Sequence, residues 1–452
     1  MSTAAMLASP ARSALAAGVI LGLLYTLSPL LVLSLAALVA MTWRVSQSLS
    51  GTERRWFIAL MVVAIGLRLV FVAGLFLSAD PNQPFGTFFG DEQIFKTRPI
   101  WLRNLGLGIP ISSADVIYAF DETGMSGHLY VLAYLQAVVG DAPYGVHFFN
   151  VTLYMASILV MYVVARRSFG SVAAMGGLLI LSLFPSLFFW SVSALKEPVY
   201  AFLAVVELMA AIAIVRAPSW PLRIVAAVAV VVIGFAMEDV RKGTLTVALL
   251  GTVTGLGAAM LFARPRLAMI ATVALPIALI LALNQPAVEA RVLKVVRDSV
   301  RFHAGHVLSA GVAYKIVDGR YYARWEQIPR IGRREAAAYV VRSTVSYVIE
   351  PSPANWQSPM LWAYLPEHLL WLLLVALVPV GIVVGLKRDP LVTLLMTTHA
   401  IAIVMMVALT SGNIGTLIRH RGTSLTYLAW FAALGAVWLL ARAMPARKGS
   451  VA

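Results

Sequence analysis

Residues 366–410 read PEHLLWLLLVALVPVGIVVGLKRDPLVTLLMTTHAIAIVMMVALT. Two apolar runs of about twenty residues, the length that crosses a hydrocarbon core, are parted only by Lys387-Arg388-Asp389-Pro390. Runs apolar on every side are buried elements or membrane spans, not surface helices with one apolar stripe. The pattern recurs along the chain. Spans are expected at 14–42, 56–78, 145–165, 171–189, 198–215, 222–237, 243–262, 267–284, 366–386, 390–410 and 423–441, about eleven in all. His128–Gly140 is apolar but too short to cross, and reads as a half-helix or interfacial helix.

Composition agrees. Of 452 residues, 60% are hydrophobic and 12% charged, against about half and a quarter in soluble domains. The expected fold class is all-α, a polytopic transmembrane bundle forming one integral membrane domain over 1–452. Cysteine is absent, which removes disulfides, Cys metal sites and thiol nucleophiles. The apolar stretch Ala14–Met41 after Arg12 is too long for a signal-peptide core and reads as a retained helix, with a kink at Pro29. The net charge of +15 is not a nucleic-acid signal. Much of it lies in short loops, at Arg44, Arg54, Arg55, Arg166, Arg167, Arg216, Arg223, Arg264, Arg266, Lys387 and Arg388, and in the tail at Arg442, Arg447 and Lys448. With His128–Gly140 kept out of the span count, all fall on one side, which the positive-inside rule makes cytoplasmic. The expected location is the plasma (inner) membrane.

The other face then holds a first outer loop over 79–144 and a long outer loop over 285–365, both far longer than ordinary connections. Only Glu53 and Asp389 of the 20 acidic residues lie in the cytoplasmic loops. Acids are weak topology determinants, so their bias points to an active outer face.

Four constellations lie there. Gly90-Asp91-Glu92 offers adjacent carboxylates for a general base or a divalent cation, and Asp121-Glu122 competes for that role. Ser191–Pro198 (SVSALKEP) carries Lys196 and Glu197. Glu238-Asp239-Val240-Arg241-Lys242 is a charged turn between two spans. Arg419-His420-Arg421, between Gly415 and Gly422, suits a phosphate or pyrophosphate through guanidinium forks. Within spans, Arg68, Glu207 and His399 stand out as costly ionisable groups, and an Arg68–Glu207 pair is conceivable. The long loop has Arg291, Lys294, Arg297 and Arg301 at helical spacing, with Tyr321, Tyr322, Trp325, Trp356 and Trp362 as interface anchors or sugar-stacking rings.

The stretch from His128 to Gly170, HLYVLAYLQAVVGDAPYGVHFFNVTLYMASILVMYVVARRSFG, resembles the early helices of GT-C glycosyltransferases, among them dolichyl-phosphate-mannose protein mannosyltransferases and bacterial aminoarabinose transferases. Gly90-Asp91-Glu92 precedes Val139-Gly140-Asp141, and Ala165-Arg166-Arg167-Ser168-Phe169-Gly170 closes the unit. LSLFPSLFFWSVSALKEPVYAFL is similar to that family's next helical pair. One extra span stands ahead of the acidic loop, which puts the N-terminus outside. The resemblance implies juxtamembrane helices, a polyprenyl-phosphate-linked sugar as donor, a glycan, lipid or protein as acceptor, and an active site at the outer interface. It makes Asp91 the catalytic acid position, with Glu92 beside it and Glu197 as a second. Lys196, Arg241, Lys242, Arg419 and Arg421 are then the cations for the phosphate. If Asp91 and Glu92 hold Mg2+ or Mn2+, the metal takes that role. Two other classes stay open: a polysaccharide polymerase or ligase leaning on Arg419 and Arg421, and a lipid or glycan transporter with polar groups at mid-membrane.

Overall fold

A computed structural model describes residues 3–80, 86–121, 126–140, 144–309, 311–352 and 359–444, without the side chains of 3–13 and 360. Glu122, Asp141, Trp356, Arg447 and Lys448 lie outside the described residues. The chain is helical, with no strand among the described residues. α1 (Thr3–Leu27), α2 (Pro29–Ser46) and α3 (Gly51–Ser78) come first. Three short helices follow: α4 (Glu92–Gly106), α5 (Ser113–Ala119) and α6 (Gly127–Val139). Next come α7 (Gly145–Phe169), α8 (Ser171–Leu183), α9 (Pro185–Val192), α10 (Glu197–Arg216), α11 (Trp220–Val240), α12 (Thr244–Phe262) and α13 (Pro265–Leu283). After α14 (Pro286–Leu308), α15 (Arg320–Ala323), a 3-10 turn (Trp325–Arg330) and α16 (Arg333–Ile349), the chain closes with α17 (Pro359–Arg388), α18 (Pro390–Thr410) and α19 (Ile414–Ala443).

Among the described residues, ten helices are long and apolar enough to cross a membrane, or eleven if the broken pair α8–α9 counts as one span. The protein is a multi-pass membrane protein. The expected single span over 14–42 is corrected: Ser28 is extended (φ −174°), its hydroxyl accepts from the Leu30 N–H, and Pro29 opens a new helix. Proline suits the first helical position and cannot supply the N–H that would continue the previous helix. The apolar helix Gly127–Val139 has 13 residues, about 20 Å of helix, which is too short to cross. At the other end, α19 begins at Ile414 because Asn413 accepts from the Gly415 and Thr416 N–H groups. Arg419-His420-Arg421, expected in the connection between the spans 390–410 and 423–441, therefore lies within a helix.

The chain packs as two compact units. The first comprises Met1–Met161, Phe188–Val205 and Ala236–Lys242. Its core gathers Phe95 and Leu102 of α4, Ala119 of α5, Leu129, Leu132 and Ala133 of α6, Val146 of α7, and Ala194 and Leu195.

The second comprises Tyr162–Leu187, Val206–Phe235 and Gly243–Ala452. Small residues let its helices touch, as lipid-solvated helices require for packing without a hydrophobic drive. A Cβ on Gly381 of α17 would collide with the Phe431 carbonyl of α19, and one on Gly435 of α19 with the Leu377 carbonyl of α17. Mid-span, Glu207 of α10 accepts from Thr252 of α12 (2.5 Å) and meets His399 Nε2 of α18 (2.8 Å). Glu207 is thus bonded within the second unit, and Arg68 is used in the first. At one end of the unit, Asp389 accepts from Arg216 (2.7 and 2.8 Å) and Ser168 (2.6 Å), and Arg388 donates to the Phe169 carbonyl. The basic loops after α7, α10 and α17 therefore share one end, as their common charge sign requires. Burial alone would raise the Asp389 carboxyl, but the bonds from Arg216, Ser168 and the Val392 N–H outweigh it and hold it below the usual range.

At the opposite end of α18, the 285–350 segment clamps the turn into α19. Tyr339 donates to the Leu409 carbonyl, His306 Nδ1 bonds that of Thr410 (2.8 Å), and His303 Nδ1 (2.6 Å) and Tyr314 (2.7 Å) bond that of Ser411. The basic run at helical spacing does form α14. Tyr321 and Tyr322 are buried, and the Tyr322 hydroxyl accepts from the Ile316 and Val317 N–H groups. They build the segment's own core and are not free to stack on a sugar.

Gly381→Ala should destabilise the protein by about 1–3 kcal/mol, as overpacking does. Thermal unfolding in detergent checks this against Gly257→Ala, where nothing lies within 4 Å of the added carbon. Equal melting of the two variants would contradict the close α17–α19 approach.

Candidate functional site

The first unit contains a stretch of unwound backbone, between the end of α9 at Val192 and the start of α10 at Glu197. From Ser191 to Leu195 every residue is buried. Amides and carbonyls shielded from water need partners from the protein. His147 Nδ1 bonds the Val192 carbonyl (2.7 Å), so that nitrogen carries the hydrogen. Asn150 Nδ2 donates to the Ser193 (2.8 Å) and Leu195 (2.6 Å) carbonyls. Glu92 Oε2 accepts from the Ala194 N–H (3.0 Å). Just before the break, Arg68 Nε donates to Ser191 Oγ (2.8 Å) and Nη1 to the Ala64 carbonyl (2.9 Å). The Arg68 guanidinium lies near the Tyr154 and Phe188 rings, 5.4 and 5.0 Å from their centroids.

Glu92 therefore ties the 79–144 segment to SVSALKEP. Its other oxygen accepts from the Phe89 N–H (2.9 Å), closing the turn that starts α4. One helical turn on, Lys96 donates to the Gly86 carbonyl and sits 4.7 Å from the Tyr144 ring centroid. Burial pushes the Glu92 carboxyl up, against the pull of the Ala194 N–H and of Lys96. Burial pushes the Lys96 ammonium down. The two adjacent carboxylates thus part company: Glu92 is fully buried, and Asp91 is exposed at the head of α4.

The same anchoring gathers the other charged positions of this unit. Lys196, two residues beyond Ala194, donates to the Val240 carbonyl (2.8 Å), where a cation complements the C-terminal end of α11. α11 runs to Val240, so Glu238 and Asp239 lie in its last turn, and half-buried Arg241 and exposed Lys242 follow it. Gly243, at φ 88°, supplies the left-handed residue that lets α12 begin at once. The Asp239 carboxylate lies against Gly127, so a side chain there would have to displace it. Glu197 is buried at the first residue of α10. His128, at the start of α6, is buried beside Phe95, with ring centroids 5.7 Å apart. Burial and the charge of Lys196 bring its pKa down to about 4, against the opposing pull of Glu197.

Asp91, Glu92, Lys196, Glu197, Arg241 and Lys242 all belong to the first unit; Arg419 and Arg421 belong to the second. Arg421 is buried, and its Nε (2.8 Å) and Nη2 both donate to the Tyr347 carbonyl. Trp371 Nε1 takes the next carbonyl, that of Val348 (3.0 Å). Together they cap the C-terminal end of α16, which leaves Arg421 less able to fork onto a phosphate. Arg419 and His420 are half-buried.

With both Glu92 oxygens on N–H donors, the Asp91–Glu92 pair does not offer a divalent cation two outward carboxylates. Among the described residues no group of three or more His, Asp or Glu side chains is arranged to hold a metal. His147, Asn150, Lys96 and His128 escaped the sequence reading. Two of them had a signal: His147 and Asn150 stand three apart, hence on one helical face, in an apolar span. Comparison with protein-family models, curated proteins and solved structures gives no match to this chain.

Glu92→Gln turns one N–H acceptor into a donor facing a donor, and should cost about 2 kcal/mol of stability. Asp91→Asn, at an exposed position, should lower the melting temperature less. Thermal unfolding of both in detergent checks the division; equal effects would remove it. A pH dependence also follows. His128 stays neutral in the fold down to about 4 and has an ordinary value of 6.5. Its contribution is therefore constant above pH 6.5, and stability falls as pH drops from 6.5 to 4. The loss approaches about 3 kcal/mol. His303, also lowered to about 4 by burial, acts in the same sense. Denaturation at pH 7, 5.5 and 4.5 should show a shallower acid slope for His128→Gln than for the native chain.

Proposed function

We propose that this protein is a membrane glycosyltransferase of the GT-C type, moving a sugar from a polyprenyl-phosphate donor to an acceptor at the extracytoplasmic face. One observation carries the reading. The Glu92–Ala194 hydrogen bond joins the first-loop acidic motif to the SVSALKEP segment and leaves Asp91 exposed beside that junction. Lys196, bonded to Val240, brings Arg241 and Lys242 into the same unit. An exposed carboxylate on α4, which is not among the membrane-crossing helices, and cations at the ends of two spans of the same unit, are groups that transfer from a lipid phosphate requires.

In this reading Asp91 is the general base. It takes the proton of the acceptor hydroxyl as that oxygen bonds to the anomeric carbon. The bond from that carbon to the phosphate oxygen breaks, and the electron pair leaves on the polyprenyl phosphate. The leaving group needs charge neutralised rather than a proton, which preorganised cations at a poorly solvated interface supply. Arg241 and Lys242 are the candidates, with Lys196 positioning them through Val240. Glu92, buried, holds the backbone on which this chemistry sits, and Glu197 is buried at the start of α10.

The polymerase or ligase reading leans on Arg419 and Arg421, and has less support because Arg421 is committed to the end of α16. The transporter reading has the mid-span Glu207–His399–Thr252 cluster in its favour, but those groups bond one another.

Asp91→Asn should lower transfer about 10²–10⁴-fold, the usual worth of a general base, in proteoliposomes supplied with polyprenyl-phosphate-linked sugar. Full activity of that variant would overturn the assignment. Loss on Arg419→Ala with retention on Asp91→Asn would favour a polymerase acting on lipid pyrophosphates.

A further inference from the structure

We propose that α16 and the segment before α15 form a binding site for an anionic phospholipid, independent of the transferase reading. α16 buries one face, with Ala336, Tyr339, Ser343, Ser346 and Tyr347. Its other face carries Val341, Val345 and Ile349, exposed by 63, 50 and 46%. These three lie at successive turns, a stripe about 12 Å long. Beside the stripe is a groove of about 420 Å³ lined by Lys315, Ile316, Val317, Val341, Arg342, Val345 and Ser346. Both cations are exposed. Among the described residues no carboxylate lines the groove. The acids Asp318 and Glu335 are held by Arg320 instead. Arg342 donates to the Ile316 carbonyl (3.3 Å), which aims the guanidinium along the groove wall.

The position of α16 selects the occupant. Tyr339 donates to the Leu409 carbonyl, and Thr344 reaches Met405 Sδ at 3.8 Å. Both partners lie in the last two turns of α18, a membrane-crossing helix. Trp371 of α17 holds the C-terminal end of α16. α16 is thus level with the end of a span, where lipid head groups are, and its apolar stripe faces outward there. An interfacial helix with an apolar face and flanking cations takes a lipid whose chain covers the stripe and whose phosphate meets the cations. A soluble anion would leave the stripe uncovered, and a neutral head group would leave the cations without a counter-charge.

The test uses the full chain purified in a neutral detergent and titrated with phosphatidylglycerol or phosphatidylcholine, with retained lipid counted by native mass spectrometry. The native chain should retain one phosphatidylglycerol in preference to phosphatidylcholine. The double variant Lys315→Ala/Arg342→Ala should bind it about tenfold more weakly, the scale of losing charge-assisted contacts to a phosphate. Val345→Gln, which keeps both cations, should also weaken it. All of these residues are exposed, and unchanged melting temperatures check that the variants fold. Equal retention of phosphatidylglycerol by native and double-variant chains overturns the proposal. Displacement of the lipid by inorganic phosphate alone also overturns it, because the stripe then contributes nothing.

Discussion

Between Val192 and Glu197 the backbone leaves the helix inside a membrane protein, where an amide or carbonyl without a partner costs several kcal/mol. The first unit is arranged around satisfying that stretch. α7 contributes His147 and Asn150 to its carbonyls, and α4 contributes Glu92 to the Ala194 amide. Once Glu92 is fixed there, the turn over 86–91 is fixed with it, through the Phe89 N–H and through Lys96 on Gly86. Lys196 then lies within reach of Val240. Three segments distant in sequence are registered by the needs of four residues of backbone.

The second unit obeys the same rule with other side chains. The turn between α18 and α19 has its carbonyls taken by Tyr339, His306, His303 and Tyr314, and the end of α16 by Arg421 and Trp371. Charged groups within spans follow suit: Glu207 meets His399 and Thr252. A buried ionisable group in such a setting is costly unless bonded, so most of the chain's unusual polar residues serve its architecture first. That is why the exposed ones, Asp91 and Lys242 in the first unit and Lys315 and Arg342 in the second, carry the functional arguments.

Asp91 and Glu92 show how little neighbouring positions share. The helix start at Glu92 turns one carboxylate inward, onto two N–H groups, and the other outward. The inward carboxylate, with a raised pKa and held by backbone donors, fixes the turn; the outward one is exposed at the head of α4. Arg421 is likewise turned inward, onto the Tyr347 carbonyl, while Arg419 in the same helix is half-buried.

The amino-acid sequence by itself determined the class and much of the outline. Apolar run length specifies a span because bilayer thickness is fixed, and that reading needs no knowledge of neighbours. It located ten of the eleven expected spans, the short helix at Gly127–Val139 and the helical basic run of α14. It read 14–42 as one span with a kink at Pro29, where the structure ends one helix at Leu27 and starts the span Pro29–Ser46. It placed the arginines at 419–421 in a turn, because it did not weigh the cap at Asn413. Only the tertiary structure decided which carboxylate is buried, that Arg68 belongs to Ser191 and Glu207 to His399, and that Glu92 reaches Ala194. Those choices depend on contacts between residues a hundred or more positions apart, and a single chain's spacing carries no information about which distant backbone groups lack a partner.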